Sequence, residues 1–247
     1  MTLEQFFLQH PKAAIAFSGG VDSAYLLYMA KKCGADVRAY YVKTQFQPAF
    51  ELEDARRLAT ELGMELNVLH QDALSQKAVA ENPPDRCYYC KQGIFREILS
   101  AARADGYALA LDGTNASDDA DDRPGMRALR ELGVRSPLRE CGLEKSEIRR
   151  LSRQAGLFTW QKPAYACLAT RVPTGQRITE ELLQNIEQAE DALFSLGFAD
   201  FRVRLLAGCA RIQLPAEQMP QALAQREAIL AALSGLFAGV LLDFKGR

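Results

Sequence analysis

The strongest constraint on this chain lies in residues 13–23. AAIAFS (13–18) is a short apolar run that ends in SGGVDS (18–23). From Asp22 to Cys33 the spacing turns helical, with Leu26, Leu27 and Ala30 on one face. A strand, a glycine turn and a helix open a parallel α/β unit, and the next hundred residues repeat the alternation. VRAYYVKT (37–44) reads as a second strand, 51–62 as a helix and MELNVLH (64–70) as a third strand. ENPPDR (81–86) leads into a helix from Cys87 to about Ala104, and YALALDGTN (107–115) reads as a fourth strand with its turn. Strands alternating with helices imply right-handed crossovers and a parallel sheet, whose ligands bind outside the carboxyl ends of the strands. SGGVDS, Lys43-Thr44 and DGTN all fall at those ends.

After a helix near 145–156 the pattern changes. TWQKPAYACLATRVPTG (159–175) has no clean period and reads as a connector. Beyond it come an amphipathic helix (179–196), strands at 200–206 and 210–214, a helix (217–234) and a last strand (237–244). The expected fold class is therefore α/β: a Rossmann-like parallel-sheet domain over 1–172, followed by a small α+β domain over 173–247. Lys and Arg number 30 against 31 Asp and Glu, a net charge of −1, which argues against a nucleic-acid partner held by phosphate neutralisation. No apolar run approaches the roughly eighteen residues of a membrane span. The start, with Glu4 and no small-residue cleavage site, does not read as a secretory leader. Six cysteines in such a chain read as reduced thiols, ligands or nucleophiles. A cytoplasmic enzyme is expected, acting on a small molecule and assembling as a homo-oligomer.

In SGGVDS, adjacent glycines let backbone N–H groups approach an anion at a helix N-terminus. Ser18 and Ser23 offer hydroxyl donors, and Asp22 can cap the helix or bind Mg2+. The GK[ST] ending of the Walker loop is missing, and so is the dinucleotide GxGxxG. The hexapeptide in this context resembles the PP-loop ATP pyrophosphatase superfamily. That resemblance implies cleavage of ATP between the α and β phosphates, with Ser18, Gly19, Gly20, Asp22 and Ser23 on the phosphates. It also implies Val42 to Thr44 beside adenine and Gly113-Thr114 near the ribose or phosphates.

Cys87 and Cys90 form CYYC at the start of a helix, a position that favours thiolate. One CxxC cannot complete a metal's coordination shell. Cys167 lies in the irregular KPAYACLATRVPTG, bracketed by Lys162 and Arg171, a setting for a stabilised, nucleophilic thiolate. Cys33, Cys209 and Cys141 read as packing residues. His10 and His70 are isolated, and the acidic run Asp118–Asp122 reads as a solvated loop.

Taken together, SGGVDS, RCYYCK, DGTNASDDADDRPG, GVRSPLRECGLEKSEIRR, WQKPAYACLATRVPTG and RVR…ARI resemble the LarE family of ATP-dependent sulfur transferases in nickel-pincer nucleotide biosynthesis. The resemblance implies that a carboxylate of pyridinium-3,5-biscarboxylic acid mononucleotide is adenylated and converted to a thiocarboxylate. Cys167 matches the sulfur-donating cysteine of that family. Some relatives carry extra cysteines and are thought to renew the sulfur through a cluster or persulfide. Cys87, Cys90 and Cys167 would then hold a [4Fe–4S] cluster as metal ligands. The implied cofactors are ATP and Mg2+, with the cluster as an alternative sulfur carrier.

Arg202 and Arg204 are two apart in a strand, and a two-residue turn at Ala207-Gly208 would set Arg204 opposite Arg211. No acid lies between 201 and 214, so three uncompensated arginines on one face suit a phosphate or carboxylate. Residues 176–247 carry seven basic and nine acidic side chains, which favours a small anion over nucleic acid. Arg202 and Arg204 also fall on the RVR motif of the LarE family, and that resemblance implies the mononucleotide phosphate as the ligand. Two competing functions are a tRNA-thiolating PP-loop enzyme and a non-catalytic regulator that binds AMP or ATP.

Overall fold

The computed structural model describes residues 1–118 and 124–246. Of the acidic run Asp118–Asp122, only Asp118 is among them. The chain forms two compact units, Met1–Ala73 with Asp85–Ala164, and Leu74–Pro84 with Tyr165–Arg247.

In chain order the first unit runs α1 (Leu3–Gln9), β1 (Lys12–Ala16), α2 (Val21–Lys32), β2 (Asp36–Lys43), α3 (Ala49–Glu61) and β3 (Leu66–His70). The short α4 (Lys77–Ala80) belongs to the second unit. The first then resumes with α5 (Arg86–Ala104), β4 (Ala110–Leu111), α6 (Pro124–Glu131), α7 (Pro137–Glu140) and α8 (Lys145–Gln154). The four strands are all parallel, in the order β3-β2-β1-β4. Side chains of β2 alternate between the two faces. Val37, Ala39 and Tyr41 pack with α2 and α3 on one side, and Tyr40 and Val42 pack with α5 and α6 on the other. Burial on both faces explains why this strand reads as nearly continuous apolar sequence.

The fourth strand is much shorter than the expected 107–115. Only Ala110 and Leu111 pair, opposite Ala14 and Ile15 of β1. The chain then turns at Gly113, where a Cβ would lie 2.9 Å from the backbone nitrogen of Ser23. The segment after β4 therefore sits directly against the first turn of α2, a close approach that only glycine allows.

The second unit holds α9 (Glu180–Ser195), β5 (Arg202–Leu206), β6 (Cys209–Gln213), α10 (Met219–Ala224), α11 (Arg226–Ala232) and β7 (Val240–Leu242). β5 and β6 form an antiparallel hairpin, with β7 added parallel to β6. Ala207 and Gly208 make the two-residue turn, both at positive φ, so Leu206 faces Cys209 and Arg204 faces Arg211 as the sequence predicted. Val203, Ala210 and Ile212 point to the core, against Ala189 and Leu193 of α9. The single helix expected over 217–234 is two helices broken at Gln225, and the last strand is Val240–Leu242 rather than 237–244.

The loss of period near 159–175 suggested a boundary at 172, whereas the unit change comes at 164–165 and residues 74–84 lie in the second unit. Backbone pairing explains this membership. The Ile178 N–H donates to the Ala80 carbonyl at 2.7 Å and the Gly175 N–H to the Asn82 carbonyl at 2.8 Å. The Asn82 side-chain amide donates to the Pro173 carbonyl at 2.8 Å.

Candidate active site

The winding direction of the first sheet reverses between β1 and β4, and a crevice at the carboxyl ends is expected there. A cavity of about 340 Å³ occupies that place. One part of its wall is apolar, built from Ala16, Tyr40, Val42, Ile94, Phe95 and Ile98. The other part is polar, with Ser18, Gly20, Asp22 and Ser23 of the loop, Asp112, Gly113 and Thr114 after β4, and Gln47, Lys91 and Asp118.

Seven residues singled out for ATP thus line one cavity: Ser18, Gly20, Asp22, Ser23, Val42, Gly113 and Thr114. Gly19 and Thr44 do not line it. Gly19 packs against Ala55 and the Glu51 carbonyl of α3. Thr44 donates both its N–H (2.9 Å) and its hydroxyl (2.8 Å) to Gln47 Oε1, so Gln47 is the side chain that reaches the wall. Gln47 and Lys91 were missed in the sequence because each depends on a turn or helix rotation that no local motif records.

The loop is organised internally before any ligand arrives. Ser23 Oγ donates to the Gly20 carbonyl at 3.2 Å, accepts from the Ser18 N–H at 3.3 Å and lies 3.1 Å from Ser18 Oγ. Asp22 does not cap α2, whose N-cap is Gly20 with no side-chain bond. Its Oδ2 pairs with the Lys145 ammonium on α8, while Oδ1 is buried without a hydrogen-bond partner. Burial is the main cause that lifts the Asp22 carboxyl above its ordinary value; Lys145 opposes the lift and Asp118 adds to it. A carboxyl raised in the folded state adds stability below its unfolded pKa and loses that contribution as pH rises through the folded value. Above the folded value the ionised Asp22 therefore weakens the fold. Asp22→Asn is expected to raise the melting temperature at pH 7 while abolishing ATP cleavage, with differential scanning calorimetry and pyrophosphate release as the two measurements. A lowered melting temperature would contradict the burial argument.

An orphaned carboxylate oxygen on a polar cavity wall fits Mg2+, which takes one or two carboxylates and completes its shell with substrate phosphates and water. Among the described residues no group of three or more His, Cys, Asp or Glu is gathered for a metal ion.

Cys87 and Cys90 lie on the first turn of α5, Cys87 exposed and Cys90 half-buried. Arg86 Nη2 donates to Cys87 Sγ at 3.7 Å. The same helix continues into the cavity wall through Lys91, Ile94, Phe95 and Ile98. The pair therefore belongs to the first unit, whereas Cys167 belongs to the second.

Cys167 sits at the head of a 3-10 turn, Leu168–Arg171, and its carbonyl accepts from the Thr170 N–H (3.0 Å) and hydroxyl (2.9 Å). Arg171 is fully buried and pairs two-pronged with Glu190 of α9, Nε–Oε1 at 2.8 Å and Nη2–Oε2 at 3.0 Å. Its remaining Nη1 donates to the Ala166 carbonyl at 2.7 Å. Glu190 also accepts from the Tyr165 hydroxyl and from the Val203 N–H at 2.9 Å. Each of the two cations that bracket Cys167 in the sequence has an acidic partner of its own. Lys162 pairs with Asp54 at 2.6 Å, and the Arg171 charge is met by Glu190. What Arg171 supplies is shape: it ties the carbonyls around Cys167 to α9.

The arginine face is also more compensated than the strands alone suggested. Arg211 has Asp243, just past β7, at 3.7 Å. Arg204 donates to Gln213 Oε1 at 2.6 Å and to the Thr170 carbonyl at 2.6 Å. Arg202 is buried, with its guanidinium 5.1 Å from the centre of the Tyr165 ring. The acid that balances the face comes from beyond the hairpin. Within this unit Arg204 and the Cys167 turn are joined through Thr170.

Residues 12–82 match the family model described as queuosine biosynthesis protein QueC. An uncharacterised protein of Synechocystis sp. is 39% identical over 220 residues, 89% of this chain and 82% of that protein. A tRNA-specific 2-thiouridylase MnmA of Thermotoga sp. is 24% identical, over 61% of this chain and 54% of its own length. The pyridinium-3,5-bisthiocarboxylic acid mononucleotide synthase of Lactiplantibacillus plantarum is 35% identical over 238 residues, 95% of this chain and 86% of that enzyme. At that identity over nearly the whole of both chains, this chain belongs to the pyridinium-3,5-bisthiocarboxylic acid mononucleotide synthase family, the LarE branch of the PP-loop enzymes.

Proposed function

We propose that the chain is an ATP-dependent sulfur transferase that turns a carboxylate of pyridinium-3,5-biscarboxylic acid mononucleotide into a thiocarboxylate. The observation that carries this reading is the near full-length likeness to the synthase, in a chain whose SGGVDS loop opens one cavity with an apolar slot and a polar wall that carries Asp22 and Lys91.

The first unit supplies the adenylation chemistry. The slot formed by Tyr40, Val42, Ile94, Phe95 and Ile98 suits a purine, and the Gly20–Ser23 backbone at the start of α2 suits the phosphates. Mg2+, held by Asp22 when bound, would neutralise phosphate charge. A substrate carboxylate oxygen attacks the α-phosphorus, the bond to the bridging oxygen breaks and pyrophosphate leaves. Lys91, on the cavity wall, would balance negative charge on the phosphates.

The second unit supplies the thiol and the arginines. The Cys167 thiolate attacks the acyl carbon and AMP leaves with the acyl C–O electron pair, giving a thioester. Removal of the Cys167 Cα proton by a base then breaks the Cβ–S bond, leaving a thiocarboxylate and dehydroalanine. Arg202, Arg204 and Arg211 are assigned to the mononucleotide phosphate, which guanidinium forks bind two-pronged. In the alternative reading Cys87, Cys90 and Cys167 would hold a [4Fe–4S] cluster that supplies the sulfur in place of the Cys167 side chain, but among the described residues no group of three or more His, Cys, Asp or Glu is gathered for a metal ion.

A tRNA-thiolating role is not favoured, because that likeness covers 61% of this chain and the composition carries no excess of basic residues. A purely regulatory nucleotide-binding role would leave the Arg171–Glu190 framework around Cys167 without a use. Replacing Arg204 with Ala is expected to weaken mononucleotide binding by about 1.5–3 kcal/mol, roughly ten- to a hundredfold. ATP binding should be unchanged. Titration calorimetry with each ligand checks this, and equal losses for both would remove the hairpin as a separate substrate site.

A further inference from the structure

We infer that Gly125, at the start of α6, positions Lys91 in the nucleotide cavity, and that its missing side chain is what lets the lysine lie there. This rests on the proposed ATP site and assigns a role to the RPG end of the DGTNASDDADDRPG segment. Gly125 is buried in the first turn of α6, and it is not among the glycines with positive φ. Its backbone is one that alanine adopts readily, and alanine is the better helix former. Neither conformation nor propensity explains a glycine at this position.

Space does. A Cβ on Gly125 would lie 2.9 Å from Lys91 Cδ, 3.1 Å from Cε and 3.5 Å from Nζ. All three nearest atoms belong to the outer half of one flexible side chain. The Lys91 stem therefore lies flat across the bare helix surface. Its ammonium has no ion-pair partner among the described residues, and Lys91 lines the same cavity as the SGGVDS loop. A lysine is a point charge on a rotatable stem, so a groove that fixes the stem decides where the charge stands. A methyl group at Gly125 would move the end of the lysine rather than the two helices, since no backbone atom is among its nearest neighbours. The effect belongs to phosphate binding and not to folding.

A double-mutant cycle tests this, with Mg2+ and α,β-methylene-ATP as the probe so that turnover is not required. Lys91→Ala is expected to lower affinity for the analogue about tenfold or more, the loss of a charge-assisted contact. Gly125→Ala should lower it severalfold with a melting temperature no lower than that of the unsubstituted protein. The double variant should bind no worse than Lys91→Ala alone, because Gly125 acts only through the lysine. Undiminished binding by Gly125→Ala, or a full further loss in the Lys91→Ala background, would overturn the inference. An unsubstituted protein that binds the analogue but releases no pyrophosphate from ATP would overturn the proposed activity, and the cycle would still decide the role of Gly125. Absence of any nucleotide binding would overturn both.

Discussion

Cys167→Ser is expected to release pyrophosphate and form the acyl-adenylate, yet yield no thiocarboxylate. The adenylating loop and its cavity belong to the first unit, and Cys167 belongs to the second, so the two half-reactions should separate. A hydroxyl is a far weaker nucleophile than a thiolate at neutral pH and has no sulfur to transfer. The unsubstituted protein also divides two sulfur sources. If Cys167 is the donor, the intact protein loses the mass of one hydrogen sulfide molecule after a single turnover, and Cys87→Ala and Cys90→Ala change little. If the three cysteines hold a cluster, protein prepared without air is brown and turns over repeatedly with added sulfide, and each substitution bleaches it. Thiocarboxylate formation by Cys167→Ser would remove Cys167 from the chemistry altogether.

Glu190→Gln carries the second large effect. Arg171 is fully buried, and its charge is met by both oxygens of a carboxylate that is itself buried. Neutralising that carboxylate strands a guanidinium away from water, a change that costs about 3–5 kcal/mol. The same substitution loosens the Ala166 and Tyr165 tethers that shape the Cys167 turn. Denaturant unfolding should show the loss of stability, and thiocarboxylate yield should fall while α,β-methylene-ATP binding persists. A variant as stable as the parent would contradict the assignment of Glu190 as the anchor of this turn.

Arg171 was singled out in the sequence, but its pairing with Glu190 was not legible there. Arg171 and Glu190 are nineteen residues apart. In the helix pattern over 179–196, Glu190 looks like one more solvated acid. Burial of a charge is a tertiary event, and only the packing of α9 on the turn reveals it. Local features fared better. The SGGVDS turn, the strand–helix alternation that implies a parallel sheet and the β5–β6 register all follow from short-range rules of turn chemistry and side-chain periodicity. Errors came where a distant segment intervened. Asp243 joins Arg211 from beyond the hairpin, residues 74–84 leave the first unit to pair near Gly175 and Ile178, and Gln47 takes the wall position expected of Thr44. Lys91 was hidden for the same reason. It follows Cys90 directly in sequence, but the α5 register that carries it into the cavity is set by Phe95 and Ile98 packing beneath the sheet.

The central claim is that ATP is cleaved between its α and β phosphates to place sulfur on a carboxylate of a mononucleotide. The most direct measurement is one reaction of the protein with ATP, Mg2+ and pyridinium-3,5-biscarboxylic acid mononucleotide, with nucleotides and substrate weighed by mass spectrometry from the same sample. The account predicts AMP and pyrophosphate that depend on the mononucleotide, together with a product in which sulfur has replaced one carboxylate oxygen. ADP and inorganic phosphate, or AMP with the mononucleotide unchanged, would contradict it.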